Sequence, residues 1–227
     1  KLSVVGQLAA GIAHEIRNPL TTLIGFVQLQ QKKGSLPGVY LDVMLSELDR
    51  INYIVSELLF LAKPQASVME MANVADILGD ISLLLESQAR ISNVRIVTNI
   101  PANLPTVKCA INQLKQVFVN VIKNGIEAMP DGGTLRIEAE TLEDSGGLLL
   151  RVCDNGCGIP EETLSRLGEP FYSTKPTGNG LGVMVSQQII ANHKGTIDFR
   201  SAPGEGTTVE IRLPSRDDSD SPDFATA

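Results

Sequence analysis

No apolar run approaches the roughly 20 residues needed to cross a bilayer, so none of the 227 residues is expected to span a membrane. Positive charge is also in deficit: 19 Lys and Arg face 26 Asp and Glu, a formal net charge of −7. That balance argues against nucleic acid as a partner, because duplex binding rests on basic contacts to phosphate. Cysteine is scarce. An odd set of Cys109, Cys153 and Cys157 speaks against a disulfide framework and for a reducing compartment. Cys153 and Cys157 flank a glycine-rich loop, but two thiols are too few for a closed zinc site, and small buried or half-buried residues are expected. No secretory leader opens the chain, since Lys1 already reads as helix. What is present is 43% hydrophobic and 20% charged residues, the profile of a soluble globular chain with one or two domains.

Residues 1–63 read as two long helices. In the second, Leu41, Met44, Leu48, Ile51, Val55, Leu58 and Ala62 recur at spacings of three and four, a seam of coiled-coil type. The first carries a looser version in Leu2, Val5, Ala9, Ile12, Ile16, Leu23 and Val27, and Gly34–Gly38 supplies the breakers of a tight turn. One hairpin cannot close such a seam on both sides, so a homodimeric four-helix bundle is expected. Pro64 stops the second helix, and residues 64–72 read as a linker. The stretch 73–214 mixes helices (from Asn73 to about Arg90, Ala110–Met129, Glu161–Leu167, Leu181–Asn192) with strands (Val94–Ile100, Thr134–Thr141, Leu148–Cys153, Thr196–Ser201, Thr207–Leu213). Without strict βαβ alternation, the expected fold is an α+β sandwich, a mixed sheet with helices on one face. The polar, acidic residues 215–227 read as a disordered tail.

His14 is the first residue that suggests chemistry. At 100° per residue it stands about 200° from Ile12 and Ile16, so it is expected to point away from the seam into solvent. Glu15 is its neighbour, and Asn18 lies one turn on along the same face. A carboxylate bonded to one ring N–H fixes the tautomer and leaves the other nitrogen as nucleophile. Pro19 removes a backbone hydrogen bond and should kink the helix beyond the site.

The run Gly11-Ile12-Ala13-His14-Glu15-Ile16-Arg17-Asn18-Pro19-Leu20 resembles the H-box of two-component sensor histidine kinases. The resemblance implies that His14 accepts the phosphoryl group, that Glu15 assists proton removal, and that Asn18 supports dephosphorylation of the partner. The longer run Gly6–Phe26 resembles sporulation kinases of Gram-positive spore formers, with the kinase B type expected.

Four further motifs follow in that family's order. Asn120 and Asn124 sit at i,i+4 on one expected helix, in Asn120-Val121-Ile122-Lys123-Asn124-Gly125, and resemble the N-box, with Gly125 where Ala is usual. Amide oxygens suit Mg²⁺, a hard cation; Asn120 is the expected metal ligand, with Lys123 and Asn124 beside the nucleotide. Asp154-Asn155-Gly156-Cys157-Gly158 matches D-x-G-x-G, where the aspartate can accept the exocyclic amine of adenine and Gly156 and Gly158 allow close backbone approach. Gly178-Asn179-Gly180-Leu181-Gly182 opens a helix and resembles the second glycine box, whose amides can hold phosphates. Phe171–Lys175 is similar to the F-box, with Lys175 a phosphate contact and residues 172–180 a mobile lid.

The resemblance covers Lys1 to about Pro214 and implies a Bergerat-type ATP-binding fold shared with type II topoisomerases. In hydrolytic relatives the position of Asn120 is a glutamate that activates water. An amide is no general base at neutral pH, so transfer to a side chain is favoured over hydrolysis. The expected activity is ATP- and Mg²⁺-dependent phosphorylation of His14, then transfer to an aspartate on a response regulator receiver domain, with sporulation initiation as the setting. Other expectations from the family are a protein inhibitor at the helical hairpin, a cytoplasmic catalytic region, and membrane attachment only through an upstream sensing region. The rival readings are an ATP-gated dimeric clamp and a dimerising scaffold.

Overall fold

The computed structural model describes residues 2–33, 37–62, 68–142, 146–175 and 180–215. Backbone proximity groups Lys1–Gln65 with Gly168–Val185, and Ala66–Leu167 with Ser186–Ala227. The grouping sets 168–185 apart from the rest of the expected 73–214 domain. The expected disorder of the tail falls on residues outside those described, apart from Ser215.

In the first unit, α1 (Leu2–Lys33) and α2 (Gly38–Ala62) form a helical hairpin. Helix α1 runs on through Pro19. Just beyond it, the hydroxyls of Thr21 and Thr22 donate to the carbonyls of Arg17 and Asn18 at 2.8 and 3.4 Å. Pro19, Leu23 and Ile54 are buried, and Phe26 stacks on Tyr40 with ring centroids 5.1 Å apart. The seam residues Leu41, Leu48, Val55 and Val27 instead stay exposed in the single chain, as do Leu20, Ile24 and Leu45. This apolar stripe therefore has no cover within its own hairpin. Among the described residues no helix is long and apolar enough to cross a membrane.

The second unit is an α+β sandwich. It opens with β1 (Glu70–Asn73) and α3 (Val74–Ile91), and continues through β2 (Val94–Asn99) and β3 (Thr106–Cys109) to α4 (Ile111–Glu127). Strands β4 (Gly133–Thr141) and β5 (Leu148–Asp154), the short α5 (Glu161–Leu164), α6 (Gly182–Asn192), β6 (Thr196–Ala202) and β7 (Gly206–Leu213) follow. Five strands form one mixed sheet in the order β2-β4-β5-β7-β6, with only the β2–β4 pair parallel.

Strand periodicity decides the two faces. Leu135, Ile137, Leu150, Val152, Val209 and Ile211 point to one side and are buried with Leu114, Phe118 and Ile122 of α4 and Leu78 and Ile81 of α3. Asn73 starts α3 as foreseen, its side-chain oxygen accepting from the Ala75 N–H at 3.0 Å.

One expectation needs correction. Residues 70–72, read as linker, belong to β1, which pairs antiparallel with β3 inside the loop after residue 100, Glu70 opposite Cys109. Each strand has only four residues, too few for an alternation to show, and the pairing joins segments distant in sequence. Cys109 is fully buried there, and burial, then the Glu70 charge, pushes its thiol up to about 11. The thiol is therefore an inert packing group.

The opposite face of the sheet carries charge. Glu210, its side chain 6% exposed, accepts from Arg151 at 3.2 Å, Arg212 at 2.7 Å and Arg200 at 3.4 Å. Burial opposes ionisation of this carboxyl, but the Arg151 hydrogen bond, with Arg200 and Arg212, outweighs it and holds the pKa below the usual carboxylate value. A depressed folded pKa stabilises the fold above the unfolded value of about 4.3, and that contribution disappears as pH falls through the folded one. Glu210→Ala is expected to cost about 1–2 kcal/mol at neutral pH through the lost charge-assisted hydrogen bonds, because Arg151 and Arg212 keep Glu140 and Asp198 as partners and Arg200 is exposed. Thermal melts should show the gap from the parent protein closing below about pH 4; a constant gap would contradict this role.

Candidate functional site

Helix α4 displays Asn120 and Asn124 one turn apart. The Asn124 amide nitrogen donates to Asn120 Oδ1 at 3.3 Å, and Asn120 Nδ2 donates to the buried Ser186 Oγ at 2.9 Å. Lys123 points elsewhere, exposed and 3.9 Å from Glu127 on the same helix. The structure therefore brings together the two amides and leaves the lysine on a solvated face.

Asp154 ends β5. Its Oδ1 accepts the N–H of Gly156 at 2.9 Å and of Thr207 at 3.2 Å. This one oxygen fastens the glycine loop to the first turn of β7. A methyl group on Gly125 would stand 3.7 Å from Asp154 Oδ2 and 2.6 Å from Leu135 Cδ1, so Gly125 lets α4 lie close beneath the carboxylate. Gly158 has φ 69, and a Cβ there would run into the Ala202 carbonyl; at Gly206, φ 79, it would meet the carbonyl of Asp154. Ser201 completes the cage, its hydroxyl accepting from Ile159 N at 2.8 Å and donating to Gly206 O at 2.7 Å.

The remaining expected residues lie in the other grouping. Lys175 is half-buried, with its N–H on Ser173 Oγ at 3.1 Å. Gly180, φ 66, packs on the backbone of Phe171 and Tyr172, Leu181 is fully buried, and Gly182 opens α6. Gly178 and most of the expected lid, residues 176–179, lie outside the described residues. His14 and Glu15 lie on α1, with side chains outside the described set, while Asn18 is exposed.

Sequence reasoning passed over Thr207, Ser201 and Ser186. Thr207 and Ser201 flank the turn Pro203–Gly206, whose two glycines were the available signal, and Ser186 was the one hydroxyl in the apolar start of α6.

The two families that match divide the chain in the same order. Residues 4–67 match the His Kinase A (phospho-acceptor) domain. Residues 109–217 match the histidine kinase-, DNA gyrase B- and HSP90-like ATPase domain. The chain is the catalytic core of a sensor histidine kinase. It is 50% identical to sporulation kinase E of Bacillus subtilis (strain 168), over 95% of this chain and 29% of that protein. Sporulation kinase A of the same organism is 48% identical, over 95% of this chain and 36% of that protein. Identity to sporulation kinase B is 39%, over 95% of this chain and 51% of that protein, so the expected kinase B type gives way to a broader likeness to the sporulation kinases. The chain spans about half or less of the length of these relatives.

Among solved structures, the complex of histidine kinase ThkA with response regulator protein TrrA superposes with a TM-score of 0.80 at 27% identity, covering 95% of this chain and 63% of that one. Acinetobacter baumannii histidine kinase AdeS, at 23% identity and TM-score 0.77 over 90% of this chain and 98% of that one, shares the fold.

ATP is the nucleotide that the ATPase family implies, and the residues fit it. A carboxylate at the end of β5 suits an amine donor, and the paired amides of α4 offer the hard oxygen donors that accompany phosphates. The close approach at Gly158 gives a direct test. Gly158→Ala should destabilise the kinase core by about 1–3 kcal/mol through its left-handed backbone. A lowered unfolding midpoint in a thermal melt is the expected result; an unchanged midpoint would show that the loop does not depend on this contact.

Proposed function

We propose that this core phosphorylates His14 with ATP and passes the phosphoryl group to an aspartate of a response regulator, in a phosphorelay of the sporulation type. What supports it is the union in one chain of a phospho-acceptor helix carrying His14 and an ATPase domain with an amide, Asn120, where hydrolytic relatives carry a glutamate. ATP supplies the γ-phosphoryl group, and Mg²⁺ offsets the charge on its phosphates.

This chain's residues do the rest. A ring nitrogen of His14 attacks the γ-phosphorus; the N–P bond forms as the bond to the β-bridging oxygen breaks, and the ring proton passes to Glu15. Asp154 fixes the adenine amine, and Asn120, with Asn124 at its side, holds the metal. Lys175 and the amides around Gly178, Gly180, Leu181 and Gly182 offset phosphate charge. Lys123 has a lesser part, given its exposure and its Glu127 partner. In the second transfer the N–P bond breaks and the receiver aspartate takes the phosphoryl group; Asn18 assists the later removal of phosphate from that partner.

The exposed stripe of Leu20, Ile24, Leu41, Leu45 and Leu48 supports a homodimeric four-helix bundle. The histidine kinase solved with a regulator supports a receiver domain as partner, docking at the hairpin. An inhibitor acting there, and membrane attachment through an upstream region, complete the reading.

Incubation with γ-labelled ATP and Mg²⁺ tests this. The expected product is acid-labile, alkali-stable label on the protein that His14→Gln abolishes and that chases to a receiver domain. Rapid release of free phosphate with no label on the protein would overturn the assignment and favour an ATP-gated clamp.

A further inference from the structure

Helices α4 and α6 run antiparallel and are tied at two points. At one end the buried His193 takes the Ala110 N–H on Nε2 at 2.9 Å and donates from Nδ1 to Ile189 O at 2.7 Å. A backbone N–H on Nε2 requires the neutral ring with its proton on Nδ1. The other tie is the bond from Asn120 Nδ2 to Ser186 Oγ, with Ser186 only 2% exposed.

An asparagine side chain can be reversed end for end at little steric cost, which exchanges an oxygen ligand for an NH₂ group that no cation accepts. At position 120 one contact sets the sense of the amide and the other holds it in place. Ser186 takes the nitrogen, and Asn124 donates to the oxygen. Reversal would set the Asn120 NH₂ against the Asn124 NH₂, two donors facing each other, whereas the Ser186 hydroxyl could bond either end of the amide; Asn124 sets the sense of the amide and Ser186 fixes its position. A carbonyl oxygen has two lone pairs, so Oδ1 can accept from Asn124 and still face a cation.

We propose that Ser186 is a positioning residue for the metal. Its buried hydroxyl pins the nitrogen end of the Asn120 amide, so that the oxygen, whose sense Asn124 sets, is held where it meets the divalent cation bound with the nucleotide. The inference rests on the reading of Asn120 as metal ligand. Groups of this kind, bonded to a ligand rather than to the metal, typically govern 10–100-fold in metal affinity or activity.

Calorimetric titration of the whole protein with ADP, once with Mg²⁺ and once with EDTA, separates the roles. Ser186→Ala should weaken Mg-ADP binding about tenfold while leaving metal-free ADP binding unchanged. His193→Gln, which disturbs the same helix pair away from the amide, should lower the unfolding midpoint and leave the ratio of the two affinities as in the parent. Asn120→Ala is the reference. If it loses the Mg²⁺-dependent part and Ser186→Ala does not, Ser186 has no positioning role. If Asn120→Ala also keeps the full Mg²⁺ effect, the reading of Asn120 falls, and the proposal with it.

Discussion

A single carboxylate oxygen closes the loops at one end of the five-stranded sheet. Oδ1 of Asp154 accepts two backbone N–H groups, from Gly156 in the loop that leaves β5 and from Thr207 at the start of β7. Strands β5 and β7 are already neighbours in the sheet, with Asp154 opposite Thr207, so the carboxylate adds a side-chain tie at the end of that pairing and fastens the glycine loop to it. The surrounding geometry follows from that closure. Gly206 must be glycine because a side chain would strike the Asp154 carbonyl, and Gly158 because one would strike that of Ala202. Ser201 and Thr207 share a hydroxyl contact at 3.0 Å beneath the same turn. A pre-formed acceptor of this kind recognises a ligand amine with little reorganisation, which is how buried polar groups give specificity.

The second element is a helix pair. Asn120, Asn124 and Ser186 form a chain of side-chain hydrogen bonds across α4 and α6, on helices whose Phe118, Ile122 and Ile189 are buried. Polar groups in such surroundings are held in one arrangement because an unpaired donor there is costly. On the proposed reading, amides in place of a carboxylate ligate a cation beside the phosphates, and an amide is no base to activate water. On that reading, the difference is what lets the domain donate a phosphoryl group to a histidine rather than to water.

Much of this was legible in the sequence, and the pattern of what was not is physical. The hairpin, the sheet strands and the N-cap at Asn73 announce themselves through local periodicity and local side-chain chemistry. The glycine boxes and the paired amides carry fixed spacings. Strands β1 and β3 were passed over because four-residue strands owe their pairing to a distant partner. Ser186 and Thr207 were missed for a related reason: each gains meaning only from a residue more than fifty positions away. Lys123 is the reverse case: adjacency to a motif suggested its place, while the direction of its helix face, exposed and 3.9 Å from Glu127, is visible only in the structure.

On the proposed reading Asp154 anchors the adenine amine, and one isosteric change addresses it. Asp154→Asn keeps an oxygen for the Gly156 and Thr207 N–H groups but replaces the other acceptor with a donor. Equilibrium titration with ATP, with a thermal melt alongside, should give an affinity at least tenfold weaker, as expected when a buried amine loses its charged acceptor, with the unfolding midpoint little changed. An affinity equal to that of the parent protein would contradict the account, because the adenine would then be held by some other group.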